Sequence, residues 1–78
     1  MRTTPHFEDA IADRKIRREW CERVVRKPVE MEVQPNGRIR CWGFIEEAGR
    51  YLRVVLLEDG VTFQTAYFDR NFGKKKQP

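Results

Sequence analysis

The sequence is short of several residue types that carry chemistry. It has a single histidine, His6, and two cysteines, Cys21 and Cys41, which have no metal-ligand spacing. Two cysteines cannot build the disulfide framework of a small secreted domain. Both read as buried thiols, one in a helix and one in a strand. A lone histidine without a second His or Cys cluster is a poor metal site, so neither metal nor other cofactor is implied. No apolar run approaches the roughly 20 residues that cross a bilayer. The opening Met1-Arg2-Thr3-Thr4-Pro5-His6 lacks the apolar stretch of a secretory signal. The expectation is a cytoplasmic chain with no membrane partner. Internal repeats and linkers are absent as well.

What is present fits one small globular domain. Seventy-eight residues leave no room for a second core, and 40% hydrophobic with 36% charged residues suit a modest one. Such a domain is marginally stable, which makes a homodimer one expectation. The net charge of +4 is unevenly spread. Arg14–Lys27 carries seven basic and two acidic residues, and Arg70–Pro78 carries four basic and none acidic. Residues 28–69 hold four basic and seven acidic residues. An anionic partner is therefore drawn first to the second helical run and to the C-terminus.

After Pro5, Phe7, Ala10 and Ile11 recur at helical spacing up to about Asp13, with Glu8 and Asp9 complementing the start of the helix dipole. A break near Arg14-Lys15, or one bent helix, leads to Ile16, Trp20, Cys21 and Val24, a second apolar stripe that Pro28 ends. The period then falls to two. Val29, Met31 and Val33 alternate with Glu30 and Glu32, the pattern of a half-buried strand. Pro35-Asn36-Gly37 turns into a strand from Arg38 to about Ile45, and Glu47-Ala48-Gly49 into Tyr51–Leu57. Asp59-Gly60 suits a two-residue hairpin loop into Val61–Phe68. Counting outward from that loop opposes Leu56 to Phe63, Val54 to Thr65 and Leu52 to Tyr67, with Arg53 on the other face. The expectation is an α+β domain over residues 1–69: two N-terminal helices on a four-stranded antiparallel sheet. A basic, disordered tail follows over 70–78.

Candidate functional residues each have a plainer reading beside the chemical one. His6 is the side chain best suited to exchange protons near neutral pH, or simply a residue at a helix start. Arg17, Arg18 and their neighbours form a phosphate-binding face or a solvated outer surface. Arg38, Arg40, Trp42 and Phe44 share one face of a strand. They either stack single-stranded bases or divide between sheet edge and core. Thr65 and Tyr67 are hydroxyls able to orient a phosphate, and also ordinary strand residues.

The order of motifs narrows these choices. His6-Phe7-Glu8-Asp9-Ala10-Ile11-Ala12-Asp13-Arg14-Lys15-Ile16, of the form H-x7-R-x-I, precedes a helix ending in Lys27-Pro28. Then come Gly49-Arg50-Tyr51-Leu52-Arg53-Val54-Val55 and Thr65-Ala66-Tyr67. From about His6 to Asp69 this series resembles a bacterial family of small domains related to the RelE and BrnT ribonuclease toxins of toxin–antitoxin pairs. The resemblance implies a RelE-like fold in ααββββ order and metal-independent endoribonuclease activity. It implies proton transfer by His6, phosphate held by Arg14, and Thr65 and Tyr67 lining the same cleft. Arg53 is a lesser candidate for the RNA, since register sets it on the opposite face, and Arg17, Arg18, Arg38 and Arg40 would contact RNA on the strength of their own basic pattern. An acidic antitoxin chain would cover the basic helix. A non-catalytic module that binds nucleic acid or protein, RelE-like or a small barrel, is the alternative.

Overall fold

The computed structural model describes residues 1–76. Strand β1 (Arg2–Thr3) leads into helices α1 (Pro5–Arg14) and α2 (Arg18–Arg26). Strands β2 (Glu30–Val33), β3 (Ile39–Ile45), β4 (Arg50–Leu56) and β5 (Thr62–Phe68) follow, then helix α3 (Arg70–Lys76). The α+β class and the two N-terminal helices match expectation, but the sheet has five strands in the order β1-β5-β4-β3-β2. It is mixed rather than antiparallel, because β1 runs parallel to β5, with Arg2 opposite Thr62 and Thr3 opposite Phe63. Two residues have no readable period, so this strand has no sequence signal of its own.

Local chemistry sets the helix ends. The Thr4 hydroxyl accepts from the Phe7 N–H at 3.1 Å, and Pro5 takes the first helical position, where a missing N–H costs nothing. At the other end Lys15 adopts left-handed geometry with φ 54°, and its N–H caps Ala12. The break expected near Arg14-Lys15 is therefore present. Ile16 lies between the helices yet is buried. Helix α2 turns Cys21 and Val24 inward against β3. Gly43 makes this approach possible, since a Cβ there would stand 3.0 Å from Val24 Cγ2. Phe7, Ile11, Val24, Leu52, Val54 and Ala66 form the centre of this helix-side core.

The β4–β5 register departs from simple counting. Leu56 does oppose Phe63, but a bulge between Val55 and Leu56 shifts every pair beyond it. Val54 opposes Ala66, Val55 opposes Thr65, Arg53 opposes Tyr67 and Leu52 opposes Phe68. Thr65 and Tyr67 thus share the face of Arg53, not that of Leu52 and Val54. The bulge inserts one residue on β5, which reverses the side taken by everything after it.

The second face has a smaller core under α3. The residues after Asp69, expected to be a disordered tail, include this helix, and Phe72 is buried. Gln77 and Pro78 of that tail lie outside the described residues. The Phe72 ring stacks on Trp42 with centroids 5.0 Å apart and planes at 11°, and Tyr51 meets it edge-on. Asp69 joins these parts. One carboxylate oxygen, Oδ1, accepts from the Asn71 and Phe72 N–H groups at the start of α3. The other, Oδ2, accepts from Trp42 Nε1 at 3.0 Å and from Arg53 Nη2 at 2.8 Å. Burial pushes this carboxyl up, but the Trp42, Arg53 and Phe72 bonds outweigh it and hold it below its ordinary value.

Asp69→Ala would leave Trp42 and Arg53 without their acceptor and is expected to cost about 2–3 kcal/mol in urea unfolding. Because the folded carboxyl titrates lower than the unfolded one, its contribution is complete above the ordinary carboxylate range near pH ~4. That contribution fades as pH falls through the lowered folded value. Trp42 fluorescence in a Trp20→Phe background should report this loss on acidification. The transition should be absent in Asp69→Ala.

Candidate functional site

At the C-terminal end of β5 the sheet edge is bare of strand, because β1 stops opposite Phe63. Tyr67 and Phe68 point to opposite faces here, and an open cleft of about 500 Å³ wraps the edge between them. Arg14 from the end of α1, Arg50 from the start of β4 and Arg70 from the start of α3 line it with these two rings. The Arg14 guanidinium lies 5.9 Å from the Tyr67 ring centre, and Arg53 lies 4.8 Å from the same ring. Arg50 sits 3.8 Å over Phe68. Guanidinium–ring contacts of this kind hold the cations in place while leaving N–H groups to face a ligand.

The charge state of the cleft follows from which arginines already have carboxylates. Among the described residues, Arg14, Arg50 and Arg70 have no acidic partner within salt-bridge distance. Elsewhere most cations near the expected RNA face are engaged. Arg18 makes a two-pronged pair with Glu8 at 2.8 and 2.6 Å, and that partner holds the Glu8 carboxyl down at about 2. Arg23 does the same with Glu47, which is likewise lowered to about 2. Arg17 lies 4.0 Å from Glu19, Arg40 is 3.2 Å from Glu32, and Arg53 is bound to Asp69. Arg38 is exposed beyond the turn and has no acidic partner among the described residues.

The four residues assigned to catalysis by resemblance do not all converge. Arg14 and Tyr67 meet in the cleft. Thr65 is two residues away from Tyr67 on the same face, opposite Val55. His6 is exposed at the start of α1, eight residues before Arg14, about 12 Å away along a helix rising about 1.5 Å per residue. The start of α1 lies by Phe63, whose carbonyl accepts from the Thr4 N–H, whereas Tyr67 is near the far end of β5. Arg53, set apart on the opposite face in the hairpin count, stands against Tyr67. Arg50 was missed by sequence reasoning, since a single arginine at a strand start has no pattern around it. Trp42 and Phe44 do share a face with Arg40, but Phe72 occupies the stacking position on Trp42, while Phe44 is 46% exposed.

Two further groups bear on chemistry. Cys21 and Cys41 are both free and buried. Burial pushes the Cys21 thiol up to about 12 and raises Cys41 as well, which disfavours the nucleophilic thiolate. No group of three His, Cys, Asp or Glu side chains comes together at metal-ligating distance among the described residues. No described helix is long and apolar enough to cross a membrane. Compared with known proteins, the chain matches no family model, no curated protein and no solved structure. The expectation of a RelE- or BrnT-type toxin accordingly has the sequence motifs alone behind it.

Neither thiol should react appreciably with a disulfide reagent such as DTNB in the native protein. Both should react at the rate of an unhindered thiol in guanidinium chloride. Rapid titration of one equivalent under native conditions would show that one cysteine is not held as described.

Proposed function

We propose that the chain is a nucleic-acid-binding domain that takes a single-stranded RNA backbone in the cleft formed by Arg14, Arg50, Arg70 and Tyr67. The observation that supports this most is the convergence, from three separate elements, of three arginines without acidic partners among the described residues on two partly exposed aromatic rings. Guanidinium forks match phosphate oxygens, and the Tyr67 and Phe68 rings hold Arg14 and Arg50 in place. The basic face of α2 is a weaker candidate, because Arg18 and Arg23 are committed to Glu8 and Glu47.

RNA cleavage is the second reading, favoured by the Tyr67 ring lying close to both Arg14 and Arg53. Metal-independent cleavage by the 2′-hydroxyl needs cations against the charged phosphorane and a proton donor to the leaving oxygen. The arginines and the Tyr67 hydroxyl are the residues suited to those roles. His6, at the opposite end of α1, would have to act on a different part of a bound strand.

Fluorescence anisotropy with a labelled single-stranded RNA tests the binding reading. Each of Arg14→Ala, Arg50→Ala and Arg70→Ala should weaken binding several-fold. Each should also reduce the slope of log affinity against log salt by about 0.7. Arg17→Ala and Arg26→Ala should change little. Equal losses from all five variants would point to diffuse charge rather than this cleft. Cleavage in excess EDTA that survives His6→Ala but disappears in Tyr67→Phe would establish the second reading.

A further inference from the structure

Strand β2 ends the sheet, and no strand lies beyond it among the described residues. Its alternation of apolar and acidic residues reads as half-buried, yet Val29, Met31 and Val33 are 61%, 59% and 64% exposed. These three lie along the outer margin, past the cover that α2 gives to β3. The register also fixes which main-chain groups face outward. The Gln34 N–H donates to the Arg38 carbonyl at 2.8 Å, so Gln34 and Arg38 are a hydrogen-bonded pair. Alternation then makes Glu32–Arg40 and Glu30–Trp42 the next such pairs. The N–H and C=O groups of Met31 and Val33 consequently point away from β3, at the free edge. An edge of this kind is a template for an added strand.

The charges on β2 say which strand it admits. Glu30 and Glu32 project from the face opposite to Met31 and Val33. A second copy is disfavoured as the added strand. The two-fold antiparallel pairings that seat Met31 on Met31, or Met31 on Val33, set Glu30 against Glu32 or Glu32 against Glu32. Like charges directly opposed destabilise a strand pair. Glu32 is ion-paired with Arg40 yet keeps 54% of its side chain exposed, so a cation across the edge can share it. We infer that β2 is a docking edge for an extended segment of another protein, in which lysine or arginine alternates with aliphatic residues. The aliphatic side chains lie beside Met31 and Val33, and the cations lie beside Glu30 and Glu32. This site is on the opposite margin of the sheet from the arginine cleft.

The test uses the full chain, labelled with nitrogen-15, and two synthetic peptides, acetyl-Thr-Val-Lys-Val-Lys-Val-Thr-amide and its counterpart with glutamate in place of lysine. The lysine peptide should slow amide exchange at Met31 and Val33 by roughly tenfold or more when saturating, and the glutamate peptide should not. Met31→Pro removes an outward N–H without touching the β3 ladder, so it should keep the far-ultraviolet spectrum and lose the protection. The double change Glu30→Lys/Glu32→Lys should reverse the preference between peptides. Equal response to both peptides, protection elsewhere than Met31 and Val33, or undiminished binding by Met31→Pro would overturn the proposal. So would sedimentation showing that the chain pairs with itself through this edge.

Discussion

The extra residue that β5 carries opposite Val55 and Leu56 is the constraint on which the rest of the molecule depends. Before the bulge, Phe63 faces the helices and meets Phe7 edge-on with centroids 5.4 Å apart. After it, Ala66 and Phe68 take the helix side, and Thr65 and Tyr67 turn to the other. Ala66 at 0% exposure leaves room for α1 to lie close to β5. Tyr67, brought opposite Arg53, closes a chain of contacts running from Tyr67 through Arg53 to Asp69 and Trp42. Without the shift, Tyr67 would compete with Leu52 for the core and the arginine cleft would lose its ring.

Charge is distributed by the same logic of neighbours across the fold. Glu8 reaches ten residues along the chain to Arg18, and Glu47 reaches back twenty-four to Arg23. Exposed pairs of this kind contribute little to stability. Their larger consequence is to occupy Arg18 and Arg23 on the face that composition alone makes most basic. Among the described arginines without acidic partners, Arg14, Arg50 and Arg70 are brought from α1, β4 and α3 to one end of the sheet, while others such as Arg26 and Arg38 stand apart from it. The site is thus defined less by where arginines are dense than by where three of them converge on two rings.

Much of the fold was legible because it rests on local rules. Phe7, Ala10 and Ile11 at helical spacing, Pro28 after α2, and Asn36-Gly37 and Asp59-Gly60 at turns all fall where residue chemistry places them. Three features were not legible, each for a physical reason. Strand β1 is two residues long and exists only because Thr62 and Phe63 offer an edge to it. A bulge leaves no mark on an alternating pattern, so the count from the hairpin went astray after Leu56. Helix α3 has one apolar anchor, Phe72, and its stability lies in a tryptophan thirty residues earlier and a buried aspartate. Of the site, Arg14 and Tyr67 were named from motifs, whereas Arg50 became visible only when the chain was folded.

The measurement that bears most directly on this account is an NMR titration of the full chain with a short single-stranded RNA, following backbone amides and arginine Nε–H groups together. The expected result is a cluster of shifts at Arg14, Arg50, Tyr67, Phe68 and Arg70, with the α2 arginines Arg18 and Arg23 unmoved beside their carboxylates. Shifts centred on α2 and the loop before it, with the β5 end silent, would contradict the assignment of the cleft.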